Sequence, residues 1–149
     1  DVCSSDLEGP YLVKPTKEAF DNGERPVNVD ENHLVWLNSN DINWVANDSK
    51  VETAFLWGEH KDNQLRASLI QLPAGFEGNI TNLSANFRAV VIKGTMAHQM
   101  KSSKFINLLE AGSYFGAKKD VTHTITVKDD EEAILYIRSN GDFETNSKQ

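Results

Sequence analysis

Imidazole is the side chain in this sequence best suited to binding a metal or moving a proton near neutral pH. The chain has four: His33, His60, His98 and His123. Two histidines two apart on a strand point the same way and can grip one ion together. No pair here has that spacing, nor the i, i+4 spacing of a helix. His33 follows the acidic Asp30-Glu31 and is expected on the surface, and His60 lies in the turn GEHKDN and is expected in solvent. His98 alternates with Met96 and Met100 in TMAHQM, which places it on a strand face in solvent or at an edge. Nucleophilic catalysis has little support: Ser113 follows Gly112, but there is no G-x-S-x-G elbow. Glu131 and Glu132 precede the strand-like AILYI and read as a solvated turn. The one cysteine, Cys3, permits no internal disulfide and no cysteine-based zinc cluster.

The elements that must position His123 are short strands. Candidates are His33–Leu37, Val51–Trp57, Gln64–Leu72, Gly78–Leu83, Phe87–Lys93, Met96–Met100, Lys104–Leu109, Ser113–Phe115, Val121–Val127 and Ala133–Arg138. Turn residues separate them: Lys61-Asp62-Asn63, Pro73-Ala74-Gly75, Gly94, Glu110-Ala111-Gly112 and Lys128-Asp129-Asp130. Such runs and spacing indicate an all-β antiparallel sandwich or barrel. A helix is possible at Asp41–Val45. Alternation puts Phe87, Ala89, Val91 and Lys93 opposite Arg88, Val90 and Ile92, and the AVVI run predicts a strand covered on both faces. Trp36, Trp44 and Trp57 read as core or interface anchors.

At 149 residues the chain is one domain with a connector and tail. The net charge of −7 argues against nucleic acid and anionic membrane as partners, because both are bound by clustered Lys and Arg. No apolar run approaches the roughly 20 residues of a membrane helix. Residues 1–7, DVCSSDL, resemble the translation of a sequencing adapter and are expected to be an artefact. On that reading the natural chain begins further upstream. Residues 8–33 hold three of the four prolines and read as a connector with one helical turn at Thr16–Phe20; residues 34–145 form the barrel and 146–149 a tail. No signal in the sequence assigns a compartment, which is left unknown with a lean toward the periplasm.

Residues 75–94, GFEGNITNLSANFRAVVIKG, run as turn glycine, alternating strand, loop, apolar strand and closing glycine. This layout resembles the first motif of the cupin superfamily: G, five residues, H, one, H, three or four, E, six, G. Its positions fall on Gly75, Thr81, Leu83, Phe87 and Gly94, so both glycines are in register and all three ligand positions are replaced. The second cupin motif (G, five, P, one, G, two, H, three, N) falls on Gly112, Lys118, Asp120, His123 and Val127. Only Gly112 and His123 match it. FLWGEHKDNQLRASLIQLPAGFEG, FRAVVIKGTM and LLEAGSYFGAKKDVTHTITVKDDEEAILYIRSNG resemble the second lobe of a bacterial two-cupin domain-of-unknown-function family (4437).

The resemblance implies an antiparallel jelly-roll barrel (the RmlC-like double-stranded β-helix) and a partner lobe N-terminal to it. In cupins three imidazoles hold Fe, Mn, Ni or Zn and leave positions open for substrate. Here Thr81 offers a weak oxygen, and Leu83 and Phe87 offer nothing. A one-residue slip would put the cation of Arg88 in the carboxylate position. The lobe is therefore expected to hold no metal and to have no catalytic residues. It would serve as a structural or dimerising lobe, or as a small-ligand binder with a pocket of Thr81, Leu83, Phe87, Tyr114 and His123. His123 itself is expected in a barrel mouth, hydrogen-bonded to Thr81 or Tyr114, because burial without a partner is costly. Two alternatives are a metal-dependent dioxygenase- or isomerase-like enzyme, in which His98 or Glu110 joins His123, and a small-molecule sensor. Expected partners are the first lobe, a second copy of the chain, and a small organic ligand.

Overall fold

The computed structural model describes residues 28–42, 45–46 and 50–148. The adapter-like segment, most of the connector with its helical turn, and Trp44 lie outside the described residues. Twelve strands follow in chain order: β1 (Leu37–Asn38), β2 (Val45–Ala46), β3 (Glu52–Gly58), β4 (Arg66–Leu72), β5 (Glu77–Asn82), β6 (Phe87–Lys93), β7 (Met96–Met100), β8 (Asn107–Leu109), β9 (Tyr114–Ala117), β10 (Val121–Val127), β11 (Ala133–Ser139) and β12 (Phe143–Ser147). They form two six-stranded sheets, in the orders β1-β3-β4-β11-β6-β9 and β2-β12-β5-β10-β7-β8. Every pairing is antiparallel except β12 with β2. This is the expected all-β jelly-roll barrel.

Alternation along each strand decides what enters the barrel. In β10 (VTHTITV), His123, Ile125 and Val127 are buried, while the intervening Thr122, Thr124 and Thr126 look outward. In β6, Phe87, Ala89 and Val91 are inside. With Ile70, Leu72, Ile80, Leu135 and Ile137 they make one continuous apolar core. The expectation that β6 is covered on both faces fails at Ile92, which is 52% exposed. Arg88 on the same outer face is exposed as well and Val90 is half-buried, so this face of β6 is left partly uncovered; at Ile92 the register with β11 also jumps from Val91 to Lys93.

The frame glycines have backbone reasons of their own. Gly75 (φ +69°) and Gly94 (φ +85°) occupy the left-handed region, and a Cβ on Gly94 would sit 2.5 Å from the Glu132 carbonyl oxygen. Asp120 stands where the second motif has its inner glycine and keeps that turn's left-handed conformation, with φ +63°.

Other boundaries differ from expectation. His33–Leu37 is not a strand; Glu31–His33 is a single 3₁₀ turn, capped by the Asp30 carboxylate accepting from the Asn32 N–H at 2.9 Å. The helix expected at Asp41–Val45 is replaced by a 3₁₀ turn, Ser39–Asp41, and by β2. The tail expected at 146–149 is instead entered by β12, which pairs with β5 as far as Ser147. No helix among the described residues is long and apolar enough to cross a membrane.

Candidate functional site

His123 enters the barrel from β10, with its Cα paired to Ile80 of β5 on one side and Met100 of β7 on the other. His98 enters from β7 one pleat away, paired with Ile125. Both side chains are therefore on the inward face, and they meet: His98 Nε2 lies 2.9 Å from His123 Nδ1. His123 is fully buried and His98 is 5% exposed. His98 is thus not in solvent or at an exposed edge as expected, and His123 takes its hydrogen bond from neither Thr81 nor Tyr114. The signal was present: Met96 and Met100 flank His98 on the same side, marking that side as apolar.

Aromatic rings pack around the pair. The Phe115 ring centroid is 4.7 Å from that of His98 and 4.9 Å from that of His123. Phe87 stacks on His123 at 6.0 Å, and Phe143 meets the edge of Phe87 at 5.9 Å. All three phenylalanines are buried. Together they make a buried aromatic surround for the two imidazoles.

This setting disfavours charge. Burial pushes the His98 pKa down. Burial, and then the neighbouring His98, push that of His123 down to about 4. Both rings are neutral at pH 7, one donating to the other. The second ring nitrogen of His123, Nε2, is buried with no hydrogen-bond partner.

The residues do not fit a metal. Two imidazole nitrogens 2.9 Å apart are close enough to share an ion, but no three His, Cys, Asp or Glu side chains converge among the described residues. Of the expected pocket, the structure brings only Phe87 and His123 together inside the barrel. Thr81 looks outward, its hydroxyl 3.1 Å from that of Thr122. Leu83 lies past the end of β5 and is 36% exposed, and Tyr114 is 78% exposed on β9. Pairing with β10 and β12 fixes β5 so that Ile80 and Asn82 face inward instead.

Those two inward residues offer an ion nothing either. Ile80 is aliphatic. Asn82 is fully committed: its Nδ2 donates to the carbonyls of Ser84 (2.8 Å) and Lys118 (2.7 Å), and its Oδ1 accepts from the Ser84 N–H (2.8 Å) and hydroxyl (2.7 Å). Arg88 lies on the outer face and is exposed, so no cation enters by a one-residue slip. Glu110 is exposed and does not join the histidines; His60 and His33 are also exposed.

Solved structures share the fold at low sequence identity. An RmlC-like cupin from Shewanella frigidimarina matches 74% of this chain and 86% of its own, with TM-score 0.55 and 17% identity. Drosophila melanogaster CENP-C, bound to CAL1, matches 74% of this chain and 83% of its own, with TM-score 0.55 and 13% identity. Fe(II)-HppE with the alternative substrate (S)-1-HPP matches 80% of this chain and 61% of its own, with TM-score 0.55 and 15% identity. No curated protein matches the sequence. Residues 4–146 match the family described as "Domain of unknown function (DUF4437)", and the chain, a cupin by fold, belongs to that family.

Proposed function

We propose that this cupin is a non-catalytic, metal-free assembly lobe, the second lobe of a two-cupin protein. The observation that carries the reading is the filled interior. Phe87, Phe115 and Phe143 close round a neutral His98–His123 pair, and the inward places on β5 hold an aliphatic group and a saturated amide. The fold alone decides nothing, since it is shared by HppE with its Fe(II) and by CENP-C with CAL1. The reading rests instead on this chain's own interior, where buried aromatic rings surround the two imidazoles. Partners in this reading are the first lobe and a second copy of the chain.

Metal content tests it. Protein purified from cells grown with added Fe, Mn, Ni and Zn is expected to carry far less than one metal per chain. One metal per chain that disappears in His123→Ala would overturn the reading.

A small-ligand sensor is the second reading, and a groove favours it. An open depression of about 480 Å³ outside the barrel is lined by Asn86, Phe87, Arg88, Tyr114 and Lys118, among others. Two cations and a phenol beside one another suit a small organic anion. A rise in melting temperature with such anions, abolished by Arg88→Ala, would support it; no rise across a panel of carboxylates and phosphates would sink it.

A further inference from the structure

β8 is the last strand of its sheet: β7 pairs with one side of it, and no strand among the described residues pairs with the other. The segment through it reads Lys104-Phe105-Ile106-Asn107-Leu108-Leu109-Glu110. Phe105 is 80% exposed, Ile106 68% and Leu108 62%. Open edges are normally guarded by a central charge, a proline or a bulge, because they invite another strand. This one has neither charge nor proline between Lys104 and Glu110; its shortness, three paired residues, is its one guard. Lys104 and Glu110 are exposed and make no ion pair among the described residues.

The segment is self-complementary. Turned antiparallel on itself about Asn107, it sets Lys104 against Glu110, Phe105 against Leu109 and Ile106 against Leu108. By two-fold symmetry each contact occurs twice. With Lys104–Ile106 drawn into the joined sheet as an extension of β8, directly opposed residues share a face, so Ile106, Leu108 and the two charges lie together on the outer side. Leu108 is already on that side, since its β7 partner Ala97 alternates with the inward Met96 and His98. No other register about a two-fold matches both charges and all four apolar residues.

The geometry points to a homodimer in which β8 of one chain adds to β8 of a second copy, joining two six-stranded sheets into one continuous sheet. The occupant is a copy of this chain because the charge order, + at one end and − at the other, is what an isologous antiparallel partner requires. The inference extends the assembly reading, yet it stands on solution mass, whereas the metal-free reading stands on metal content. Either can fail alone.

The test is charge exchange read by sedimentation equilibrium. The wild-type chain is expected to be a dimer. Lys104→Glu and Glu110→Lys singly put like charges in both pairs and should weaken dimerisation about tenfold or more. The double variant Lys104→Glu/Glu110→Lys restores both pairs and should regain wild-type mass. In a Cys3→Ser background, Asn107→Cys should form a disulfide-linked dimer and Ser103→Cys should not, since only residue 107 faces itself. Lys104, Asn107 and Glu110 are exposed and Ser103 is half-buried; the folding of every variant is checked by circular dichroism. A monomeric wild type, single variants that dimerise unchanged, or a double variant that stays monomeric would each overturn the proposal.

Discussion

His98 Nε2 sits 2.9 Å from His123 Nδ1 inside the barrel, and both residues are buried. A hydrogen bond between two imidazoles needs one to donate and one to accept. A proton added to either must be carried in an aromatic, desolvated setting.

The pair therefore makes the fold acid-sensitive. The His123 pKa falls from its ordinary 6.5 to about 4 through burial and then through His98, and burial lowers that of His98 as well. Below pH 6.5 the unfolded chain takes up protons that the folded barrel refuses. Stability is therefore full above about pH 6.5 and declines as the pH falls toward 4. The His123 share is roughly 3 kcal/mol by the bottom of that window. Urea unfolding from about pH 7.5 to about pH 4 should show this slope, and His98→Leu/His123→Leu should flatten it. An unchanged slope in the double variant would refute the assignment.

Strand parity predicts where a metal site can be rebuilt. Ile80 is paired with His123 on the inward face, so Ile80→His adds a third imidazole to the existing two. One Zn or Ni per chain is expected for that variant. Thr81→His, the substitution suggested by motif spacing alone, should bind none, because Thr81 looks outward beside Thr122. Calorimetric titration of both variants decides the matter, and binding by Thr81→His would reverse the facing given for β5.

Two members of the expected pocket should behave oppositely. Phe87 is 1% exposed and packs on His123, Phe115 and Phe143. Phe87→Ala should lower stability by about 3–5 kcal/mol. Tyr114 is 78% exposed, and Tyr114→Ala should change it by less than about 0.5 kcal/mol. Denaturant midpoints measure both.

The closing glycine of the first motif should remain indispensable without any metal. Gly94→Ala combines a left-handed φ of +85° with a Cβ only 2.5 Å from the Glu132 carbonyl oxygen. Destabilisation beyond about 1 kcal/mol is expected, and a melting temperature matching wild type would mean the turn is not as described.

The strands from β3 to β11 were legible because alternation and turn chemistry agree along them. β12 was hidden: FETNS has one large apolar residue and follows the Asn140-Gly141-Asp142 turn, so its strand character comes from pairing with β5. Lys104–Ile106 reads as strand but pairs with no strand among the described residues, its Phe105 N–H donating instead to the Ser103 hydroxyl at 3.1 Å, and β8 begins only at Asn107. At the site, Phe87 and His123 were legible and Thr81, Leu83 and Tyr114 were misplaced. Counting from Gly75 gives spacing, whereas facing on β5 is set by strands far off in sequence, and a one-residue slip reverses it. His98 was visible as a member of the Met96–Met100 stripe. Its partner lies on β10, beyond the reach of any local pattern.

Asn82 gives the fold a one-way character. It occupies an inward place on β5, yet its amide laces the β5–β6 loop to the turn ahead of β10. Replacing it with an ion-binding side chain would unfasten the end of the barrel before any ion could compensate. A new donor at position 82 therefore comes at the expense of this fastening, whereas one at position 80 leaves it intact.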